Sequence, residues 1–259
     1  MHKLGLVSIS FRQHSPREIL EAVKAAGLSC IEWGSDVHAP CTDEARLREI
    51  AVLQKEYGIS CCSYGTYFRL GITPIEELPG YIRAAKILGT DIVRLWCGNR
   101  NPEDYTPEEA AALLADCKAA AAIAEAENVT FCLECHINTF TNDVQHALWL
   151  MEQVESPHFR MYWQPHQFKT PEENLHYARC IAPYTCHLHV FNWSGHEKYP
   201  LAEASTLWRS YLACFHHRPT LLLEFMPDGK LESLPREAKA SAILPDVIKN
   251  ENHLHERVH

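Results

Sequence analysis

Short β-type runs alternate with longer amphipathic segments eight times along this chain of 259 residues. Successive runs begin about 31 residues apart, which is the length of one strand-and-helix unit in an eight-stranded α/β barrel. The runs begin near Leu4, Cys30, Ile59, Asp91, Val129, Phe159, Cys186 and Thr220. Because consecutive parallel strands need a long crossover, this alternation indicates an α/β fold with a parallel sheet. We therefore predict a single (β/α)8 TIM barrel over residues 1–250, followed by a polar C-terminal tail at 251–259.

Three of the segments between these runs begin with the pattern of a helix N-terminus. Ser15, Thr106 and Thr170 each place a hydroxyl at the N-cap position, directly before a proline at the first helical position. An open, doubly wound sheet is the competing architecture, but it usually carries a Gly-x-Gly motif in its first turn. The first turn here reads SFRQHSP, which favours the barrel.

Net charge and hydropathy exclude several classes of function. The chain carries 24 Lys and Arg against 33 Asp and Glu, a formal net charge of −9. Such a surface does not attract nucleic-acid phosphates or anionic lipid, so we expect neither nucleic acid nor a membrane as a partner. No stretch reaches 18 consecutive apolar residues, and the N-terminus lacks the apolar core of a signal peptide. These features predict a cytoplasmic protein.

The eleven cysteines do not form the pattern of a disulfide scaffold. Their number is odd, the chain is long, and most of them lie inside apolar strand-like runs, so we interpret them as reduced. Cys132 and Cys135 form a Cys-x-x-Cys motif. On a strand, residues three apart point to opposite faces, so one pocket cannot collect both thiols. The pair is therefore not predicted to be a redox or zinc site.

Polar residues are concentrated where the last four predicted strands end. In a parallel barrel these carboxyl ends form the rim that carries the active site. The rim residues are Glu134 and His136 after the fifth run, Gln164 and His166 after the sixth, His189 and Asn192 after the seventh, and Glu224 after the eighth. Four adjacent strands therefore each deliver a carboxylate, imidazole or amide to one place.

Glu224 most directly indicates a cation. It follows TLLL, a run expected to be buried, and an unpaired buried carboxylate costs several kcal/mol. Glu134 has the same requirement, and two carboxylates together with an imidazole can satisfy one another around a divalent metal. The His187-Leu-His189 motif could supply that imidazole; core histidines hydrogen-bonded to the backbone are the alternative.

At these residues the sequence resembles the xylose isomerase-like TIM-barrel superfamily of sugar phosphate isomerases and epimerases, over essentially the whole chain. The resemblance implies one divalent metal, Mn, Mg or Zn, held by Glu134, Gln164, His189 and Glu224. It places His187 deeper in the barrel. Many such barrels pair through helix faces, so a homodimer is one expected assembly.

Gln164 departs from the family pattern, which has aspartate at the end of the sixth strand. Its carbonyl oxygen can still coordinate a metal, but the missing negative charge should weaken binding of a hard cation. His166 is an alternative nitrogen ligand that would favour zinc. A barrel that has lost its metal is a third interpretation.

The resemblance also indicates residues near the substrate in the second-strand segment IEWGSDVH. Aromatic rings next to polar groups are a common way of binding sugars, and Tyr67, Arg94 and Trp96 point to the same rim. The predicted substrate-binding residues are Glu32, His38, Tyr67, Arg94, Trp96, His136, His166, Asn192 and Lys198. The alternatives are a loop position for His38, a core position for Trp96 and a solvated side chain for Lys198.

The resulting hypothesis is a metal-dependent isomerase or epimerase acting on a sugar or sugar phosphate. Glu134 and Glu224 would form the acid/base pair of proton transfer through an enediolate, and His189 would anchor the metal. Dehydration of an inosose type uses the same intermediate. A non-catalytic sugar-binding barrel is the alternative that Gln164 raises, whereas the net charge disfavours an endonuclease acting on abasic DNA. A hydrolase of the amidohydrolase type would carry its His-x-His on the first strand, where this chain reads LVSISFR.

Overall fold

The structure, a computed structural model, describes residues 2–244 and contains one closed barrel of eight parallel strands. The barrel strands are β1 Leu4–Val7, β2 Cys30–Gly34, β3 Ser60–Leu70, β4 Ile92–Cys97, β5 Thr130–Glu134, β6 Phe159–Trp163, β7 Thr185–Val190 and β10 Thr220–Leu223. Each strand pairs with its neighbours in chain order, and β10 closes the barrel on β1. The predicted (β/α)8 architecture and all eight predicted strands are confirmed. The predicted tail at 251–259 lies outside the described residues.

One α-helix follows each barrel strand within the described chain. The helices are α1 Pro16–Ala25, α2 Glu44–Tyr57, α3 Leu78–Leu88, α4 Pro107–Glu127, α5 Val144–Val154, α6 Pro171–Ile181, α7 Ser205–Leu212 and α8 Leu234–Ile243. A small hairpin of β8 Trp193–Ser194 and β9 Glu197–Lys198 lies between β7 and α7. None of the helices within residues 2–244 is long and apolar enough to cross a membrane.

The three predicted helix starts form complete capping boxes. The hydroxyls of Ser15, Thr106 and Thr170 each accept a hydrogen bond from a backbone N–H three residues on. The glutamate at that third position accepts one from the cap N–H in return. These caps fix where each helix begins and therefore how long each loop at the rim is.

Side chains alternate between the two faces of the barrel wall, as the two-residue period of a strand requires. On β5, Phe131 and Leu133 lie in the core between strands and helices, whereas Cys132 lies in the inner cluster. The next inward position, at the carboxyl end of the strand, is Glu134. Cys135 lies with the outer core, so the two cysteines of the Cys-x-x-Cys motif are on opposite faces, as predicted.

The same alternation brings polar residues to the inside at three other strands. On β10, Leu222 lies in the inner cluster, and Glu224 is the next inward position just after the strand. On β6, Tyr162 lies in the same cluster, and Gln164 is the next inward position. The ring nitrogens of His187 on β7 lie near the backbone oxygens of Cys186 and Cys62, 2.7 and 3.2 Å away. His187 therefore belongs to the barrel interior, one inward position below His189.

Candidate metal centre and active site

A cavity of about 220 Å³ opens among the carboxyl ends of the barrel strands. Its polar lining includes Arg94, Glu134, Gln164 and Glu224, contributed by four different strands or the residues just after them. Its aromatic lining comprises Tyr67, Trp96, Phe191, Trp193 and Phe225. The cavity is therefore at the rim where the sequence predicts the active site.

Three donor side chains converge beneath this cavity, where Glu134 and Glu224 line it and the fully buried His189 lies behind them. One ligand atom from each of Glu134, His189 and Glu224 lies within 4.8 Å of the other two, and all three residues are buried. The Nδ1 atom of His189 is 3.2 Å from Glu134 Oε1 and 3.6 Å from Glu224 Oε2. The sequence predicted these three residues to meet, and the structure brings them together.

Gln164 completes this group from β6. Its Oε1 lies 2.9 Å from His189 Nδ1. Ligands about 2.1 Å from a shared cation are separated by roughly 3 to 3.5 Å, close to the distances from His189 Nδ1 to the oxygens of the other three side chains. Two carboxylates, an amide oxygen and an imidazole nitrogen suit Mn²⁺, Mg²⁺ or Zn²⁺. The four residues therefore fit a divalent cation, and His189 presents Nδ1 to it.

A buried arginine holds the first of these carboxylates in place. Arg94 donates through Nε to Glu32 Oε1 at 2.9 Å and through Nη1 to Glu134 Oε2. Trp96 Nε1 donates to the same Glu134 oxygen. These two hydrogen bonds occupy Glu134 Oε2, so Oε1 is the oxygen that faces His189. Arg94 and Trp96, which the sequence predicted to lie at the rim, therefore line the cavity and also hold Glu134, a candidate metal ligand, by hydrogen bonds.

The charges of the site match one divalent cation. Within residues 2–244, three carboxylates are buried at this centre, those of Glu32, Glu134 and Glu224, against the single buried guanidinium of Arg94. With a neutral His189, two negative charges remain uncompensated, and buried charges need a counter-charge. A divalent ion supplies that charge, so the charge balance agrees with the donor geometry.

The pKa values reflect this crowding. Burial lowers the pKa of His189, but Glu224, Glu134 and Glu32 outweigh burial and raise that pKa to about 10. Burial raises the pKa of Glu32, but Arg94 and His189 outweigh it and bring that pKa down to about 2. Glu134 also has a lowered pKa, because Arg94 and His189 outweigh its burial. Burial and the charge of Glu134 raise the pKa of Glu224.

Metal binding should therefore depend steeply on pH. Below about pH 10 the metal-free His189 carries a proton, which a cation at Nδ1 must displace. We expect the dissociation constant for Mn²⁺ to fall about tenfold per pH unit between about pH 6 and pH 9. The dissociation constant at each pH is measured from the electron paramagnetic resonance signal of free Mn²⁺. A constant affinity across the range would contradict coordination by His189.

Gln164 offers a second test of the donor set. Replacing Gln164 by Asp adds a carboxylate beside His189 Nδ1, and Ca²⁺ or Mg²⁺ sites tighten as ligand charge increases. We expect Gln164→Asp to tighten Mn²⁺ binding about tenfold. Gln167→Asp, which adds the same charge at another position on the cavity wall, serves as the control. Equal effects of the two substitutions would remove Gln164 from the ligand set.

His136 lies on the cavity wall with a fixed tautomer. Its Nδ1 is 2.6 Å from the carbonyl oxygen of Ile137, which can only accept, so Nδ1 carries the proton. In the neutral ring Nε2 is then an acceptor. The ring is stacked on Trp96 with centroids 4.8 Å apart. The structure thus places His136 where the sequence predicts a substrate contact.

Two other predicted substrate-binding residues also lie at the cavity. Tyr67 and His166 line the cavity. His166 Nδ1 accepts a hydrogen bond from the backbone N–H of Phe168 at 3.1 Å, and His166 is outside the cluster of metal donors found in residues 2–244. This geometry gives no support to His166 as a nitrogen ligand in place of Gln164.

Four predicted substrate contacts are not among the described residues that line the cavity. His38 is buried, with its ring nitrogens 3.1 Å from Ser8 Oγ and 3.2 Å from the carbonyl oxygen of His14. Asn192 donates to the carbonyl oxygen of Pro200. Lys198 lies on the outside, with Nζ 4.9 Å from the ring centroid of Trp193. Glu32 is fully buried behind Arg94.

The cavity residues that the sequence analysis missed include Arg12, Trp193 and Phe225. Arg12 lies in the loop after β1 and donates to the hydroxyl of Tyr67 and, at 2.5 Å, to Asp36. Trp193 stands in the first strand of the hairpin, and Phe225 follows Glu224 with a left-handed φ of 50°. Only Arg12 had a usable signal, a long polar side chain just after the first strand. A left-handed φ at a phenylalanine is rare, and nothing in the local sequence indicates it.

The comparisons with known proteins agree with this geometry. The sequence profile described as "Xylose isomerase-like TIM barrel" matches residues 20–219. The chain belongs to this family. No curated protein matches the sequence.

Solved structures of low sequence identity share the fold. A probable 3-DHS dehydratase involved in petrobactin synthesis from Bacillus anthracis is 17% identical with a TM-score of 0.77, covering 93% of this chain and 99% of that one. An L-ribulose 3-epimerase is 15% identical with a TM-score of 0.73, covering 100% and 99%. A family protein from Mycobacterium smegmatis in complex with magnesium is 12% identical with a TM-score of 0.70, covering 95% and 97%. At these identities the similarity establishes the fold alone.

Proposed function

We propose that this protein is a divalent-metal-dependent isomerase or epimerase of a sugar or sugar phosphate. The observation that carries the proposal is the convergence of Glu134, Gln164 and Glu224, which line a cavity with aromatic walls, on the buried His189 directly behind them. The family contains structures named as epimerases, among them the L-ribulose 3-epimerase. Both the donor set and the cavity suit a small polyhydroxy carbonyl compound.

Glu134, Gln164, His189 and Glu224 would hold the cation. When bound, a divalent cation polarises neighbouring carbonyl and hydroxyl oxygens and stabilises the negative charge that develops when a proton leaves the adjacent carbon.

Glu224 is the better placed of the two carboxylates to remove that proton. Its pKa is raised, whereas Arg94 and Trp96 both donate to Glu134 and make it a weaker base. A carboxylate with a raised pKa accepts a proton near neutral pH and can return it. We assign proton removal to Glu224. Glu134 Oε1 would act from the other side of the cavity.

The walls of the cavity suit one monosaccharide unit. A volume of about 220 Å³ accommodates a five- or six-carbon ligand and little more. Trp96 and Trp193 offer aromatic faces for the C–H groups of a sugar, and Arg12 and His136 offer polar atoms for its hydroxyls.

Arg94 also argues against an endonuclease that gathers several metals. Its guanidinium lies between the carboxylates of Glu32 and Glu134, so this pair of carboxylates already has a cation and is not free to bind a second metal. The net charge of −9 further disfavours a DNA substrate.

Dehydration is the second candidate. The probable 3-DHS dehydratase shares the fold over 93% of this chain, and removal of a proton beside a carbonyl can be followed by loss of a hydroxyl. The same Glu224 would serve both reactions, and the products distinguish them: a dehydratase releases water and forms an unsaturated compound.

The test measures bound metal per chain in protein purified without chelator, then incubates it with a panel of ketoses, aldoses and their phosphates in deuterated water. We expect about one equivalent of divalent metal and deuterium at the carbon next to the carbonyl of at least one sugar. An unsaturated product would favour dehydration. If no metal binds and none restores exchange, the proposal fails and a non-catalytic sugar-binding barrel replaces it.

A further inference from the structure

Of the three buried carboxylates of the site, Glu32 is the one that does not line the cavity in the described chain. Glu32 is 0% exposed and is absent from the cavity lining within residues 2–244. It lies on β2, which pairs with none of the strands that carry or precede the metal donors, β5, β6, β7 and β10. Burying a carboxylate is costly, so its contacts indicate what it does there.

One contact connects Glu32 to the metal-binding histidine. His189 Nδ1 faces the other donors, and its Nε2 lies 3.7 Å from Glu32 Oε1. That Nε2 atom is fully buried and has no hydrogen-bond partner within the described residues. A neutral histidine that binds a cation through Nδ1 must carry its proton on Nε2. The carboxylate of Glu32 is the acidic group that lies nearest this N–H among the described residues.

A second contact connects Glu32 to the metal-binding carboxylate. Glu32 Oε1 accepts from Arg94 Nε at 2.9 Å, and Arg94 Nη1 donates to Glu134 Oε2. The guanidinium is rigid and planar, so a shift of Glu32 would move the Arg94 group that, together with Trp96, holds Glu134 Oε2. Ser63 Oγ donates to the other Glu32 oxygen at 2.8 Å and fixes the carboxylate itself.

The space for this arrangement depends on a glycine. A Cβ atom at Gly65 would lie 2.4 Å from Glu32 Oε1 and 2.8 Å from Arg94 Nη2. No larger residue fits there unless the carboxylate and the guanidinium move. Gly65 on β3 thus keeps the Glu32–Arg94 pair where it reaches both metal donors.

We propose that Glu32 is a positioning residue, which orients His189 through Nε2 and Glu134 through Arg94 so that both present one atom to the metal. This inference rests on the proposed metal site and replaces a substrate contact as the role of Glu32. Carboxylates behind metal-binding histidines typically contribute 10- to 100-fold to metal affinity or activity.

Two variants separate positioning from simple charge. Glu32→Gln keeps the shape of the side chain and removes its charge. Gly65→Ala keeps every charge and displaces the pair. Asp36→Asn is the matched control. It also removes a carboxylate at this end of the barrel, but that carboxylate pairs with Arg12 and not with a metal donor.

The measurements are the Mn²⁺ dissociation constant and the ¹H–¹⁵N signal of the His189 Nε2–H in Mg²⁺-loaded protein. We expect Glu32→Gln to weaken Mn²⁺ binding about 10- to 100-fold and Gly65→Ala to weaken it at least several-fold. In both variants the Nε2–H signal should move upfield and exchange faster with water. Asp36→Asn should leave both readouts at wild-type values.

Three results would overturn the proposal. The first is wild-type Mn²⁺ affinity and an unchanged Nε2–H signal in both variants. The second is an effect of Asp36→Asn equal to that of Glu32→Gln, which would mean that only net charge matters. The third is a raised KM for the sugar with unchanged metal affinity, which would make Glu32 a substrate contact. If the wild type binds metal as expected but exchanges no sugar, the proposed function fails while the role of Glu32 stands.

Discussion

Replacing Glu224 by Gln is expected to reduce metal-dependent exchange of the sugar proton with solvent about 10³-fold, within the usual range for removal of a general base. Glutamine keeps an oxygen that can contact the metal but cannot accept a proton at neutral pH. The raised pKa of Glu224 is what makes it suited to this step. The readout is deuterium incorporation into the substrate identified from the panel, at saturating metal.

The control for this experiment is Glu152→Gln, which makes the same change at an exposed position on α5. Glu152→Gln should exchange at the wild-type rate. Thermal unfolding of both variants checks that the fold is intact. If Glu224→Gln binds metal and retains its exchange rate, the proton must be removed by another group, and the assignment to Glu224 is wrong.

Replacing Arg94 by Met should have the largest effect on stability. The substitution leaves Glu32 and Glu134 buried without their cation, and breaking a buried ion pair in this way costs about 3–5 kcal/mol. For a chain of this size, that corresponds to a fall in Tm of roughly 10 °C. Calorimetry of the metal-free protein measures it.

The pH dependence of the Arg94→Met variant provides an internal check. Without the guanidinium, burial should raise the pKa of Glu32 and Glu134 above their unfolded values. Such groups favour folding when protonated, so the deficit in stability should shrink as pH falls from about 8 to about 5. In the wild type the stability contributed by Glu32 depends on pH in the opposite direction. Its pKa of about 2 lies below the unfolded value, so this contribution is present at neutral pH and is lost as pH falls toward about 2.

Arg100→Met is the control for this prediction, since Arg100 pairs with Glu109 at the surface, where ion pairs contribute about 0–1 kcal/mol. If Arg94→Met destabilises no more than Arg100→Met, the buried charges are compensated by something other than Arg94. The charge balance that supports a divalent cation would then be wrong.

The period of the strands made much of this site predictable. Cys132 and Glu134 differ by two positions, as do His187 and His189, so the sequence places the second member of each pair on the same inner face one step nearer the rim. Because a parallel barrel brings all its carboxyl ends together, Glu134, His189 and Glu224, which are 35 to 90 positions apart in sequence, could be predicted to meet at one site.

The sequence could not distinguish a residue in the cavity from one directly behind it. Glu32 and His38 were both predicted as substrate contacts from the second-strand segment IEWGSDVH. In the structure Glu32 is enclosed by Arg94 and Ser63, and His38 packs against Trp33. These placements depend on side chains from different strands filling the same interior volume. The left-handed φ of Phe225 also depends on tertiary packing rather than on local sequence.

A titration of metal-free protein with Mn²⁺ tests the central claim most directly. Bound Mn²⁺ and deuterium incorporation into the sugar are followed in the same samples. We predict that exchange is absent without metal, rises in proportion to bound Mn²⁺ and stops rising at about one equivalent per chain, as a single four-residue donor set requires. Exchange at full rate without metal, or one equivalent of bound Mn²⁺ with no exchange of any sugar in the panel, would contradict it.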